Sequence, residues 1–127
     1  MYITIDETDQ RPIYRQIVDE IKSIIAAGEL PEGSSLPPVR QVASDLGVNQ
    51  NTVAFAYRQL QKTGLIRVRH GSGAVVIGRV TTKRNQERLE AKLLPVVTDM
   101  VLGGLTRSEI NTLVNNVLNN LIGSQSR

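Results

Sequence analysis

The stretch Val39-Arg40-Gln41-Val42-Ala43-Ser44-Asp45-Leu46-Gly47-Val48-Asn49-Gln50-Asn51-Thr52-Val53-Ala54-Phe55-Ala56-Tyr57-Arg58-Gln59-Leu60-Gln61-Lys62 decides the fold. Val39, Val42, Ala43 and Leu46 fall at helical spacing, as do Val53, Ala56, Tyr57 and Leu60, so each set marks the buried face of a helix. The spacing predicts a short helix over about 39–46 and a second over about 50–62. Gly47 stops the first, because glycine adopts the left-handed backbone region at no steric cost. Asn49 is a good N-cap for the second.

Upstream, Pro12 suits a first helical position, where the N–H it lacks would be unpaired anyway. Ile13, Ile17, Ile21, Ile24 and Ile25 then recur at helical spacing, with Tyr14 and Val18 beside them. Arg15, Gln16, Asp19, Glu20, Lys22 and Ser23 are expected to face outward. Gly28 ends this helix, residues 30–34 have turn chemistry, and Tyr2-Ile3-Thr4-Ile5 reads as a short strand or an extended arm. Downstream, residues 65–69 and 74–77 are β-prone and flank His70-Gly71-Ser72-Gly73, the pattern of a hairpin. Helix, helix, tight turn, helix and hairpin is the layout of a winged helix-turn-helix. The expected fold class is mainly α with a small β wing, followed by a two-helix tail.

Residues 78–84 read as a hinge. From about Glu87, Leu89, Leu93, Val96, Val97, Met100 and Val101 form an apolar stripe, in which Pro95 is expected to kink the helix or to mark its true start. Gly103-Gly104 ends it. Thr106-Arg107-Ser108-Glu109 has the capping-box pattern, with Leu105 and Ile110 placed for a hydrophobic staple. Ile110, Leu113, Val114, Val117, Leu118, Leu121 and Ile122 line one side of the last helix, and five asparagines line the other. The expected division is a DNA-binding domain over 1–78 and a helical dimerisation tail over 79–127.

Composition narrows the function classes. The 127 residues are 40% hydrophobic and 21% charged, enough to bury one core, but only 3% aromatic, which disfavours base-stacking platforms. With no cysteine, thiolate metal sites and cysteine nucleophiles are excluded, and with His70 the single histidine, histidine-based metal or triad chemistry has little to work with. No phosphate loop or nucleophile motif is present, so neither catalysis nor a cofactor or metal is expected. The chain lacks a signal-peptide pattern and an apolar run of membrane-spanning length, so a cytoplasmic protein with no membrane partner is expected. Charge is unevenly spread: residues 1–32 carry three basic and seven acidic side chains, residues 33–92 ten basic and three acidic. A concentrated cationic segment fits phosphate neutralisation as well as an ordinary solvated surface.

Pro12-Ile13-Tyr14-Arg15-Gln16-Ile17, Gly28-Glu29-Leu30-Pro31-Glu32-Gly33, Leu36-Pro37-Pro38-Val39-Arg40-Gln41-Val42-Ala43, Leu46-Gly47-Val48, Asn51-Thr52-Val53 and Gly64-Leu65-Ile66 follow in an order and spacing that resembles the GntR-type DNA-binding domain over about residues 11–79. The short tail resembles the YtrA branch of that family. The resemblance implies a homodimeric transcription regulator, commonly a repressor, bound to a palindromic operator, often of transporter genes. Two positions depart from the family pattern. Pro38 stands where serine is frequent, which removes or replaces a helix cap, and Ala54 stands where some members carry arginine.

A recognition helix presents its N-terminal residues to base edges in the major groove. Here these are Asn49, Gln50, Asn51 and Thr52; Asn49 can equally serve only as a cap, and Thr52 only bond backbone. The resemblance adds Arg40, which reaches bases or phosphate in the family, and minor-groove contact by His70 and Gly71 beside Arg69. Arg58 is placed for a phosphate or for solvent, and the wing tip for contact or for a plain hairpin turn. For the tail, Leu93, Val97, Val101, Ile110, Val114, Val117, Leu118 and Leu121 are the expected dimer contacts, since about 45 residues make a poor core alone. An intramolecular cap is the alternative. A small-molecule effector is possible but not evident, and a non-specific architectural DNA binder is the remaining rival.

Overall fold

The computed structural model describes residues 1–69, 73–78 and 82–123. Its elements, in chain order, are α1 (Ile13–Ala26), β1 (Ser35–Leu36), α2 (Val39–Leu46), α3 (Gln50–Lys62), β2 (Ile66–Arg69), β3 (Gly73–Val76), α4 (Lys83–Leu102) and α5 (Arg107–Ile122). They fall into two compact units, Met1–Arg79 and Val80–Arg127. The fold is mostly helical with one small antiparallel sheet, as the sequence predicts. The expected turn at His70, Gly71 and Ser72 and part of the expected hinge lie outside the described residues.

The first unit is organised by the apolar faces of its three helices. Ile17, Val18, Ile21 and Ile25 of α1, Val42 and Ala43 of α2, and Val53, Ala56, Tyr57 and Leu60 of α3 meet in one core with Leu36, Ile66, Ala74 and Val76 of the sheet. Each large side chain so buried contributes about 1.5–3 kcal/mol. Leu60 is fully buried, so Leu60→Ala would cost about 2–5 kcal/mol through lost contact and the cavity left behind.

Gln16, expected to face outward, is buried at 3% exposure. Its Oε1 accepts from the Asp6 backbone N–H at 2.9 Å, and its Nε2 donates to the carbonyls of Asp6 and Arg11, both at 3.1 Å. The amide supplies the partners that the arm's backbone needs once Ile3 and Ile5 pack against the core. No strand forms over residues 2–5.

The turn between α2 and α3 is set by Gly47, whose φ of 68° lies in the left-handed region. Its N–H donates to the Ser44 carbonyl, while the Val48 N–H donates to the Ala43 carbonyl, the paired bonds of a Schellman motif. At the other end of α2, Pro38 makes no side-chain cap, so that departure from the family pattern leaves the helix start without a hydrogen-bonding side chain.

The sheet order is β1-β3-β2, antiparallel throughout, with Leu36 opposite Ala74 and Val68 opposite Ala74 on the other side. β1 was not legible in the sequence. Two residues beside two prolines carry no strand signal of their own and pair only because β3 returns to them. Gly73, at φ +85°, begins β3 where a Cβ would stand 3.0 Å from the Leu36 carbonyl oxygen, so backbone conformation and space both require glycine.

In the second unit α4 begins at Lys83, inside the expected hinge, with the Thr82 side chain accepting from the Asn85 N–H. It then runs through Pro95, which neither starts nor ends it. Flanking helix on both sides tolerates the missing N–H, and Thr98 Oγ1 donates to the Leu94 carbonyl at 2.7 Å just beyond. The capping box of α5 forms as expected, Glu109 N–H to Thr106 Oγ1 and Thr106 N–H to Glu109 Oε1. Leu105 and Ile110 line one hollow with Val97 and Val101, where the staple was expected.

Candidate nucleic-acid interface

The site begins with the start of α3. Asn49 is extended, at φ −67° and ψ 138°, so its Oδ1 can accept from the Asn51 N–H at 2.7 Å, and the cap aims the first turn outward. Asn49, Gln50 and Asn51 are exposed and Thr52 is half-buried. The inner stripe of α3 is consumed by the core, so this polar front is free of packing duties.

Arg40, in the first turn of α2, Gln50 and Arg69 line a single open cleft of about 780 Å³, together with Pro38, Val39 and Val68. Residues 29 positions apart in the chain are thus brought to one concavity between helix-turn-helix and hairpin. Gln41, Ser44 and Asp45 complete its α2 wall, and Asp45 is its acidic member. An adjoining groove of about 400 Å³ is lined by Val39, Ala54, Tyr57, Arg58, Gln61 and Val68. Ala54 contributes only a methyl group there, where an arginine would project into the groove.

The guanidinium of Arg58 sits 5.8 Å from the centroid of the Phe55 ring, which itself meets Tyr14 of α1 edge-on at 4.7 Å. A cation over an aromatic face is oriented by the ring quadrupole, so Arg58 is pre-positioned rather than loose. Among the described residues, the ion pairs are those of Arg11 with Asp9 and Asp19. Arg40, Arg58 and Arg69 are exposed and face no carboxylate within salt-bridge distance there, leaving their charge available to an external anion. His70 and Gly71 lie outside the described residues.

Phe55 and Gln61 were not singled out by the sequence reading. Both lie at helical spacing from Arg58, three residues on either side, and that neighbourhood was the available signal.

Of the tail residues, Leu93, Val101, Val114, Val117 and Leu118 are exposed, while Val97, Ile110 and Leu121 are half-buried. Neither tail helix buries any residue within the chain. Leu93 at 53% and Val117 at 56% exposure show apolar stripes without a cover among the described residues. Likewise among the described residues, no helix is long and apolar enough to cross a membrane.

The sequence profile described as bacterial regulatory proteins, gntR family, matches residues 13–76. The chain is 36% identical over 74 residues to the HTH-type transcriptional repressor YtrA of Bacillus subtilis, a match covering 58% of this chain and 57% of that protein. The crystal structure of a transcriptional antiterminator from Listeria monocytogenes EGD-e superposes with a TM-score of 0.87 at 31% identity, covering 100% of this chain and 97% of that one. The DNA-binding domain of AraR, crystallised with its operator ORE1, superposes with a TM-score of 0.51 at 25% identity over 60% of this chain and 93% of that one.

Proposed function

Because this chain belongs to the gntR family of bacterial regulatory proteins, we propose that it is a cytoplasmic repressor that binds a palindromic operator as a homodimer. The family makes it a DNA-binding transcription regulator, and its relatives are regulators rather than enzymes. In this reading Asn49, Gln50, Asn51 and Thr52 enter the major groove on α3. Arg40 reaches a base or phosphate, Arg58 a phosphate, and Arg69, His70 and Gly71 the neighbouring minor groove. The observation that carries it is the convergence of Arg40, Gln50 and Arg69 on one cleft beside an exposed polar helix start. The operator complex of AraR supports the same use of a similar domain. The uncovered stripes of α4 and α5 support pairing of two tails, which would present two recognition helices to half-sites about one helical turn apart. The resemblance of the short tail to the YtrA branch extends the proposal to transporter genes as targets.

The test is selection of bound sequences from a random duplex pool, followed by titration at stated salt. An inverted repeat is expected, bound on the order of 10³-fold or more tighter than random duplex. Arg40→Ala and Asn51→Ala should each cost about 1–3 kcal/mol on the selected duplex and little on random duplex. Arg58→Ala should weaken both alike and lower the salt slope by about one. No enriched sequence, or an enriched one on which Arg40→Ala and Asn51→Ala lose no more than on random duplex, would make the protein a non-specific architectural binder instead.

A further inference from the structure

In the sheet order β1-β3-β2, β2 is an edge strand, paired with β3 on one side and with no strand on the other among the described residues. An open edge leaves backbone N–H groups without a ladder partner. The Val68 N–H is one of these, and it donates to Gln61 Oε1 at 2.6 Å, seven residues back on the last full turn of α3. The Gln61 backbone is itself fixed, its carbonyl accepting from the Gly64 N–H at 3.0 Å. The hairpin's inner end is held by burial of Ile66 and Val76, but Val68 is 38% exposed and Arg69 is exposed. Toward its outer end β2 buries no side chain of its own, and its tie to the core there runs through Ala74 of β3, opposite Val68, rather than through α3. The Gln61 side chain spans that gap.

We propose that Gln61 is a positioning residue for DNA recognition. By holding the Val68 N–H it sets the separation between the recognition helix and the wing, and so places Arg69 relative to Gln50 and Arg40. The inference rests on the DNA-interface reading above and deepens it. A helix in one groove and a wing in the next must match a fixed spacing on the duplex, so a wing free to swing meets its groove in only part of its conformations. The same bond occupies the open edge of β2 and leaves no free N–H at Val68 for another strand.

Gln61→Met keeps length and volume but has no acceptor of comparable strength, whereas Gln61→Glu keeps the acceptor. In the free protein, amide exchange at Val68 should be protected in the native chain and in Gln61→Glu, and about tenfold faster in Gln61→Met. Gln61→Met should bind the selected duplex about three- to tenfold more weakly. Combined with Arg69→Ala it should add less than its separate effect, because both act through the wing. An unprotected Val68 amide in the native chain would overturn the proposal without any variant. So would full affinity in Gln61→Met while Arg40→Ala and Asn51→Ala weaken binding, an outcome that leaves the interface reading standing. If Arg40→Ala, Asn51→Ala and Arg69→Ala all bind as the native chain does, the interface reading falls and takes this proposal with it.

Discussion

Asn49 holds two positions at once, the cap of α3 and the leading edge of the exposed front. Its side-chain Oδ1 is committed to the Asn51 N–H, which leaves the side-chain NH2 for the proposed base contact. Serine can replace the cap but not the reach. Asn49→Ser is therefore expected to keep native stability in urea unfolding and to lose roughly 1 kcal/mol or more of binding to the selected duplex. Asn49→Ala should lose about 1 kcal/mol of stability as well. Tyr57 shows the opposite allocation. Its ring is buried in the core and its hydroxyl donates to the Pro37 carbonyl at 2.7 Å, tying α3 to the residue before the uncapped start of α2. Burial pushes the phenol above the ordinary tyrosine range, so it stays neutral and donating. Tyr57→Phe should cost about 1 kcal/mol, read as a lower urea midpoint with an unchanged slope.

At the scale of elements, the helix ends were the most legible features. The predicted limits of α2 and α3 coincide with the observed ones because period, cap and stop are all local signals. The capping box of α5 was legible for the same reason, and its chemistry gives it a pH dependence. Hydrogen bonds from Thr106 hold the Glu109 carboxyl below its ordinary value of 4.5. A depressed folded-state value means stability fully present above that ordinary value and lost as pH falls through the folded one. Glu109→Gln keeps an acceptor but does not titrate, so its helical signal at 222 nm should fall less steeply than the native protein's in that acid range. Asp6 and Asp9 are lowered too, by Thr8 and Arg11 respectively, and the difference between the two curves isolates Glu109. Sequence reading failed where an element has no local signal. β1 exists through pairing, and of the two readings of Pro95, a kink or the true start of the helix, the second is excluded because α4 runs from Lys83 through it.

At the scale of the whole molecule, the two units use their apolar residues differently. The first closes a core around α1, α2, α3 and the sheet, while in the second the stripes of α4 and α5 have no cover among the described residues. Placing charge on one stripe should abolish the proposed pairing without touching the first unit's core. Val114→Asp with Leu118→Asp is expected to halve the mass in light scattering and to leave unit-one folding intact; unchanged mass would remove these residues from the dimer contact. Affinity for the inverted repeat should drop with the mass, since each half-site then binds alone. By itself, the sequence determined the helices apart from the start of α4, the caps of α3 and α5, the tight turn and the polar front of α3, because periodicity and capping act over a few residues. Only the tertiary structure decided that Gln16 turns inward, that Ser35–Leu36 becomes a strand, that Gln61 holds Val68, and that Arg40 and Arg69 share a cleft. Those outcomes depend on which distant backbone groups need partners once the core has closed, and no local pattern encodes that.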